Sequence, residues 1–333
     1  MRRMIDRHPW GGLAVPGAPL PPDVTILGLP YDGGASYRSG AAAAPARLRE
    51  ISVTSSAISE EGYVIDPSAL RLHDIGDLAP GGEPGAPFTD AQRREYFSRI
   101  EQEVQKVFKL AALGGRDTFL LSLGGDHSVS IPLIQAFARG FPEGYGLITL
   151  DAHPDLFDTY EGSPLSHACP IRRAIDSSRL KPEHLLILGT RSYNEVELAF
   201  MREKGIRFVP ARAIDRTGVD EVVARACEQM KGLGNIYLTI DIDVADPGCA
   251  PGTGYPVAGG LSSRQLLDLT RGILQRLPVR AMDLVEIAPA LDPTNATLFL
   301  GLQIIFESLA VLAEKRKPKQ RSAGPQFDSS SRM

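Results

Sequence analysis

Three short segments of this 333-residue chain are rich in aspartate and histidine, and each follows a short apolar stretch. In one of them Asp151, His153 and Asp155 are spaced two residues apart, so on an extended segment their side chains would project from the same face. Asp241 and Asp243 repeat this spacing in a second segment. Burying carboxylates and an imidazole together is costly unless a cation neutralises them, so the pattern favours a metal site.

A histidine and a glutamate occupy similar positions elsewhere in the chain. His127 follows Gly124 and Gly125, two glycines that would let the chain turn sharply and bring the imidazole inward. Glu286 follows the last apolar stretch. Taken alone, Gly-Gly-Asp-His could be a tight turn, Asp-x-Asp could be a helix cap, and Glu286 could be a capping or surface residue. The metal interpretation therefore requires all of these segments to meet at one place.

These donors are too many for one metal ion. Four carboxylates and two imidazoles suit two cations that share bridging ligands and a hydroxide at a separation of roughly 3.5–4 Å. A donor set made mostly of oxygen favours Mn²⁺ over Zn²⁺, and the imidazoles leave Ni²⁺ open, while a thiolate zinc site is disfavoured because no cysteine belongs to the set. We predict two divalent metal ions per chain, Mn²⁺ or alternatively Ni²⁺. The predicted ligands are His127, Asp151, His153, Asp155, Asp241 and Asp243.

Short apolar strands alternate with longer amphipathic stretches, and this alternation would position the candidate ligands. Several strands are almost continuously apolar, as in a parallel sheet covered on both faces. Ligands bind at the carboxyl ends of such strands, which is where the acidic segments fall. We predict a three-layer α/β/α domain with a mostly parallel sheet of about eight strands. The predicted strands are 24–29, 71–75, 118–123, 146–150, 185–188, 207–209, 236–240 and 279–284, and helical patterns occupy 96–113, 222–230, 263–277 and 297–313.

The sequence contains no obvious linker, so residues 1–333 are predicted to form one domain. Residues 1–21 are rich in Gly and Pro and are predicted to form an arm, and residues 317–333 are predicted to be a disordered tail. Hydrophobic residues make up 43% and charged residues 23%, proportions typical of a soluble globular protein. A formal net charge of −4 gives no indication of nucleic-acid binding.

Cysteine usage and the apolar stretches predict a cytoplasmic protein. Cys169, Cys227 and Cys249 are too few and too scattered for a disulfide framework. No apolar signal-peptide core follows the initial Met-Arg-Arg, and the apolar stretch 298–312 is too short and too polar to span a bilayer. No association with a membrane is therefore predicted.

The acidic segments resemble the metal motifs of the ureohydrolase family, which includes arginases, agmatinases and guanidinobutyrases. The segments 124–128, 151–155 and 241–247, the last continuing into 251–254, are similar to the family's three metal motifs. The resemblance extends from about residue 24 to about residue 315, is closest to the agmatinase-like branch and implies the arginase-like fold. The N-terminal segment of the family is matched by Gly28, Pro30, Asp32, Arg38 and Gly40.

The resemblance also implies how the ligands would be divided and what reaction they would support. The implied reaction is hydrolysis of a guanidino compound to urea and an amine by a metal-bridging hydroxide. The chain would then be a hydrolase acting on the C–N bonds of linear amidines. One metal would be bound by His127 and Asp155 and the other by His153 and Asp243, with Asp151 and Asp241 bridging them.

Three residues would take part directly in the implied reaction: Asp155, which is also a predicted metal ligand, Glu286 and His167. Two metals lower the pKa of a bridging water enough to keep hydroxide at neutral pH, and Asp155 could accept a hydrogen bond from it. Glu286 matches the family's guanidinium-binding acid, and it could form a bidentate, charge-assisted pair with the substrate. His167, in a segment similar to the family's proton-shuttle loop, could protonate the departing amine because histidine titrates near neutrality.

Four positions depart from the family's patterns and leave the substrate open. Arginases usually carry Asn where this chain has Phe157, and many agmatinases have Gly and Thr where it has Ala168 and Cys169. Tyr255 stands where several relatives have Thr beside the guanidinium-binding carboxylate, and it would narrow the pocket or add a hydroxyl contact. The predicted substrate is a small cationic guanidino compound of agmatinase-like or guanidinobutyrase-like type. The alternative is free guanidine, a substituted guanidine or a biguanide, with Ni²⁺ and a partner subunit.

Three other functions fit parts of the sequence. A deacetylase-like amidohydrolase would share the architecture but would use one zinc and fewer carboxylates. An inactive partner subunit should have lost at least one ligand, and all six predicted ligands are present. Nucleotide binding through Gly124 has little support because neither a P-loop nor a G-x-G-x-x-G motif occurs.

The resemblance also implies an oligomer. Members of the ureohydrolase family assemble as trimers or hexamers, so a homo-trimer or homo-hexamer is expected, with a hetero-oligomer as the alternative.

Overall fold

A computed structural model of the protein describes residues 8–14, 21–81, 88–114 and 117–316. The predicted tail 317–333 and two parts of the predicted arm, 1–7 and 15–20, lie outside these residues.

A single sheet of eight parallel strands forms the centre of the described chain. The prediction of about eight mostly parallel strands is therefore confirmed, with bounds that differ by at most two residues. The strands are β1 Val24–Gly28, β2 Leu72–Asp77, β3 Phe119–Leu123, β4 Gly146–Leu150, β5 Leu185–Leu188, β6 Arg207–Val209, β7 Ile236–Asp241 and β8 Val279–Val285. Their order across the sheet is β2-β1-β3-β8-β7-β4-β5-β6.

Nine α-helices occur in the part of the chain that the structure describes. They are α1 Ala44–Ser52, α2 Asp90–Leu113, α3 Ser130–Gly140, α4 Pro170–Ser177, α5 Glu195–Lys204, α6 Ala211–Thr217, α7 Val219–Gln229, α8 Ser263–Arg276 and α9 Ala296–Arg316. Five of the nine, α1 and α3 to α6, were not among the predicted helical patterns. Helix α2 begins at Asp90 rather than at Tyr96, because Thr89 and Gln92 form a capping box that starts the helix over a polar turn.

The helices cover both faces of the sheet, which makes the predicted three layers. Alternate strand residues point to opposite faces, so Ile26 and Leu27 belong to different hydrophobic cores. Helices α1 and α6 to α9 contribute to the core that contains Ile26, and helices α2 to α5 contribute to the core that contains Leu27. Strands buried in this way on both faces are nearly continuous apolar runs, which is why the sequence indicates them clearly.

Helix α9 is longer than its apolar stretch suggested. By length and composition alone, this 21-residue helix could cross a membrane. However, 83% of its most apolar 18-residue stretch is buried inside the protein. Leu298, Ile305 and Leu312 lie in the same core as α1 and α8. This is the placement of a core helix.

The described part of the predicted N-terminal arm is anchored to the domain. Trp10 is fully buried, and its indole Nε1 donates a hydrogen bond of 2.7 Å to Oδ2 of Asp74 on β2. Its backbone N–H donates to Oγ of Ser52 at the end of α1, at 2.8 Å. Residues 8–14 therefore pack against α1 and β2.

Candidate metal centre and active site

The four strands β3, β8, β7 and β4 are neighbours in the sheet, and their carboxyl ends meet at one edge. His127 follows β3, Asp151 follows β4, Asp241 ends β7 and Glu286 follows β8. The topology therefore brings together the four segments that the sequence singled out, although they are distant from one another in the chain.

The ligand-rich segments converge by tight turns and not by extended chain. Oδ1 of Asp151 accepts a hydrogen bond of 2.6 Å from the backbone N–H of His153, and Asp155 has a φ of +53°. Oδ1 of Asp241 likewise accepts from the backbone N–H of Asp243, at 2.8 Å, in a 3₁₀ turn. The expected side-by-side projection from an extended segment is therefore wrong. Short aspartate side chains favour such local turns because they can bond the backbone two residues later.

The two glycines before His127 serve close packing, not an unusual backbone angle. Neither is among the described residues with positive φ. A Cβ at Gly125 would lie 1.5 Å from the carbonyl oxygen of Tyr31, and a Cβ at Gly124 would lie 2.4 Å from Cγ1 of Val285. The chain thus needs glycine here because neighbouring strand ends approach it, which corrects the expectation of a glycine-dependent turn.

Asp151 lies between two groups of candidate metal ligands. Its Oδ2 is 3.1 Å from Nδ1 of His127, which is also 2.9 Å from Oδ2 of Asp155 and 3.4 Å from Oδ2 of Asp241. Its Oδ1 is 3.6 Å from Nδ1 of His153, which is 3.0 Å from Oδ2 of Asp243. One carboxylate therefore offers an oxygen to each group, as a ligand shared by two ions does.

A buried hydrogen-bond chain directs the Nδ1 atom of His127 toward the carboxylates. Nε2 of His127 is 3.0 Å from Oγ1 of Thr239, which donates to Oδ1 of Asp283 at 2.5 Å. Asp283 also accepts from the hydroxyls of Tyr237 and Ser130, at 2.6 Å and 2.9 Å. Because the hydroxyl proton of Thr239 is used toward Asp283, Thr239 must accept from Nε2–H. Nδ1 is then free for a cation.

The electrostatics of this cluster fit divalent cations. Within the described residues, Nδ1 of His127 and Oδ2 of Asp151 are buried and make no hydrogen bond. Burial opposes a charge on His127, yet its contacts with Asp151, Asp155 and Asp241 raise its pKa well above the usual value. Burial and the neighbouring Asp151 raise the pKa of Asp155 to about 6. Carboxylates packed this densely call for positive charge, and the oxygen-rich donor set suits two divalent ions.

Glu286 lies beside this cluster in a strained backbone conformation. Its φ is +63°, and its backbone N–H donates to the carbonyl oxygen of Gly125 at 2.8 Å. Its Oε1 accepts a hydrogen bond of 2.8 Å from the backbone N–H of His127. Burial would raise the pKa of Glu286, but the imidazole of His167 lowers it. Glu286 is therefore an anionic group at the end of β8.

His167 lies against Glu286, in the loop between β4 and α4. Its Nδ1 is 3.3 Å from Oε1 of Glu286, and its Nε2 is 2.8 Å from Oγ of Ser36. Burial lowers its pKa, but Glu286 outweighs this effect and raises it to about 9. The expected titration near neutrality is corrected accordingly, since His167 carries its proton at neutral pH and could donate it.

A cavity of about 250 Å³ opens onto these groups. Phe157 and Tyr160 form an aromatic wall with their rings 5.0 Å apart. Tyr255 also lines the cavity, but it is 47% exposed and its ring contacts the ring of His153 at 5.4 Å. Tyr255 therefore lies at the mouth on the His153 side.

Several residues that shape the site were not identified from the sequence. Glu197 lines the cavity, and its carboxylate accepts hydrogen bonds of 3.1 Å from the backbone N–H groups of Leu156 and Asn194. Burial raises the pKa of Glu197 to about 7. The guanidinium of Arg191 donates to the carbonyl oxygen of Asp243 at 2.7 Å and to neighbouring carbonyls, which holds that loop in place. In the sequence, the spacing of Asn194 and Glu197 indicates the capping box that begins α5, but it gives no indication that Glu197 lines a cavity.

The chain matches the model of the arginase family over residues 22–310. It is 35% identical to a guanidinopropionase of Pseudomonas aeruginosa over 294 residues, covering 87% of each chain. It is 36% identical to an agmatinase of Bacillus cereus over 289 residues, covering 86% of this chain and 90% of the relative.

Solved structures give the same picture of the fold. A proclavaminate amidino hydrolase from Streptomyces clavuligerus superposes with a TM-score of 0.79 at 29% identity, over 94% of this chain and 99% of that one. An arginase from Bacillus subtilis superposes with a TM-score of 0.71 at 26% identity, over 86% of this chain and 98% of that one. The predicted arginase-like fold is therefore confirmed.

Proposed function

This chain belongs to the arginase family, whose members hydrolyse C–N bonds of guanidino compounds, and we propose that it converts a small guanidino substrate to urea and an amine. The observation that carries the proposal is the position of Glu286 and His167 in the same cavity as His153, Asp155, Asp241 and Asp243. A cation-binding cluster, an anionic carboxylate and a proton donor are the three elements that this hydrolysis needs.

We propose two divalent ions as the cofactors. The arginase family generally depends on two metals, and the described residues contain two Asp/His groups that could hold them. His127 and Asp155 would bind one ion, His153 and Asp243 the other, and the shared ligand would be Asp151, with Asp241 as a second. Bound there, the ions would lower the pKa of a water between them so that hydroxide is available at neutral pH. The oxygen-rich set favours Mn²⁺, with Ni²⁺ as the alternative.

Glu286 and His167 act on the substrate in this proposal. The carboxylate of Glu286 binds the planar guanidinium by charge-assisted hydrogen bonds, and the bond from its backbone N–H to the carbonyl oxygen of Gly125 holds it at the cavity. His167 donates a proton to the departing nitrogen, because an amine leaves only when protonated. Asp155 accepts a hydrogen bond from the attacking oxygen and orients it.

The lining of the cavity favours a substrate whose far end is cationic or uncharged. No lysine or arginine is found among the described lining residues, while Glu197 is one of them. Arg38 and Arg191 lie nearby, but Arg38 donates to the carbonyl oxygens of Thr253 and Gly254, and Arg191 is held by other backbone carbonyls. Within the described lining, a distal carboxylate would therefore meet no lysine or arginine side chain. We therefore favour an agmatine-like substrate over a guanidino acid, and Tyr255 would narrow the entrance.

Assembly and location follow the family in this proposal. Arginase-family enzymes are typically oligomeric, and we propose a homo-trimer or homo-hexamer of single-domain chains in the cytoplasm. A hetero-oligomer would be an alternative if the isolated chain proved inactive.

Urea release from a panel of guanidino compounds tests the proposal. The protein would be loaded separately with Mn²⁺ and Ni²⁺ and assayed with agmatine, guanidinobutyrate, guanidinopropionate, arginine, guanidine and a biguanide. We expect urea from agmatine or a close analogue, and its loss in Asp243→Ala. No urea from any compound, with two metals bound per chain, would refute the proposed reaction. Preferred release from guanidine or a biguanide would instead support the alternative substrate class.

A further inference from the structure

The N-terminal loop 32–40 reaches the active site from outside the metal motifs. Oδ2 of Asp32 accepts from the backbone N–H of Gly40 at 2.8 Å, which closes the loop on itself. The backbone N–H of Gly34 donates to Oδ2 of the buried Asp126 at 2.6 Å, which fixes the loop beside His127. The metal-centre roles described above leave this loop without a function.

Close packing determines where this loop places its side chains. A Cβ at Gly34 would lie 2.7 Å from Oγ of Ser128 and 3.0 Å from Oδ1 of Asp126, so the backbone can approach this closely only at glycine. The carbonyl oxygen of Gly34 also accepts from the backbone N–H of His167, at 3.4 Å. Ser36, two residues further on, is thereby held with its hydroxyl against the imidazole of His167 and lines the cavity.

Both ring nitrogens of His167 are occupied. Nδ1 faces Oε1 of Glu286 at 3.3 Å, and an ionised carboxylate can only accept, so Nδ1 keeps its proton there. Nε2 faces Oγ of Ser36 at 2.8 Å. A hydroxyl can accept a proton and donate its own, so the exchangeable proton of His167 has its nearest partner in Ser36.

We propose that Ser36 relays the proton of His167 to the departing nitrogen of the substrate, a role that rests on the proposed function. As the C–N bond breaks, that nitrogen takes the hydroxyl proton of Ser36. Oγ of Ser36 takes the Nε2 proton of the imidazolium in the same step. His167 ends neutral, Ser36 is unchanged, and the amine leaves protonated, so one proton and one positive charge have moved from His167 to the product.

Two variants of the full-length, metal-loaded protein test the relay. Ser36→Ala removes the hydroxyl, and Ser36→Thr keeps it and serves as the matched control. We expect Ser36→Ala to lower kcat by about 100-fold with little change in KM, and Ser36→Thr to stay within about fivefold of the wild type. The double variant Ser36→Ala/His167→Ala should be no slower than His167→Ala alone, because both changes interrupt one path. Full activity of Ser36→Ala, or additive losses in the double variant, would overturn the relay.

A measurement without substrate separates this inference from the proposed reaction. Deuterium exchange at Cε1 of His167, followed by mass spectrometry against pH, reports the protonation of that ring alone. Because the bond from the charged imidazolium to Ser36 is stronger than the bond to the neutral ring, the midpoint should move to lower pH in Ser36→Ala and stay in Ser36→Thr. Identical midpoints in the wild type and Ser36→Ala would overturn the relay even if urea is released. A shifted midpoint in a protein that releases no urea would place the failure in the proposed reaction.

Discussion

Oε1 of Glu286 lies 3.3 Å from Nδ1 of His167, so the group proposed to bind the guanidinium also holds the group proposed to protonate the amine. The contact acts on both partners, since it raises the pKa of His167 and lowers that of Glu286. A protonated imidazole and an ionised carboxylate therefore coexist at neutral pH, which is the state in which the cavity can bind a cation and donate a proton.

The raised pKa of His167 predicts the alkaline limb of the activity profile. Its pKa is about 9, above the ordinary value of histidine, so the proton-donating form is present below that pH and is lost as pH rises through it. We expect kcat to fall with increasing pH around 9. His167→Asn should lower kcat by about 100-fold or more and remove that limb.

The control for this profile is His184→Asn, which changes a histidine in the 3₁₀ turn before β5, outside the cavity. It should leave both kcat and the alkaline limb as in the wild type. An alkaline limb that persists unchanged in His167→Asn would contradict the role of His167.

The buried chain from His127 through Thr239 to Asp283 predicts a loss of metal affinity when it is broken. Asp283→Asn should weaken binding of the ion on the His127 side by about 10- to 100-fold, because Thr239 would no longer be required to accept from Nε2–H. Isothermal titration of the metal-free protein with Mn²⁺ measures the effect, with Asp268→Asn on the surface of α8 as control. Wild-type affinity at both sites in Asp283→Asn would show that this chain does not orient His127.

We predict that the carboxylate of Glu197 lets the enzyme distinguish substrates by the charge at the end opposite the guanidinium. Glu197→Gln should raise KM for agmatine by about tenfold, the loss of one charge-assisted hydrogen bond, and should affect an uncharged alkylguanidine much less. Because burial raises the pKa of Glu197 to about 7, KM for agmatine should fall as pH rises through that value and the carboxylate ionises. Equal changes in KM for both substrates would indicate that Glu197 only holds the loop around Leu156.

The cluster of candidate metal ligands could be located from the sequence because two independent patterns coincide. The alternation of strands and helices places Asp151 and Asp241 at strand ends, and their spacing to His153 and Asp243 repeats a metal pattern. The turns themselves could not be predicted, because aspartate tolerates a positive φ but its residue type alone does not fix the φ of +53° at Asp155.

Contacts between distant segments were not accessible from the sequence. Thr239 and Asp283 are partners in the register of β7 and β8, a relationship set by strand order. Because Asp283 interrupts the apolar strand β8, the sequence indicates a buried polar network, but it does not identify Thr239 as the hydrogen-bond partner of Asp283. The placement of Ser36 on His167 similarly depends on Asp126 holding Gly34, a contact across more than ninety residues.

Glu286→Gln tests the central claim most directly, because it removes the guanidinium-binding charge and leaves all six proposed metal ligands in place. The assay is urea release from the best substrate of the panel, together with the number of metals bound per chain, and Glu221→Gln on the exposed face of α7 is the control. We predict that the wild type and the control release urea, and that Glu286→Gln binds two metals but loses about 100-fold or more of kcat/KM. Activity of Glu286→Gln at the wild-type level, with two metals bound, would contradict the account.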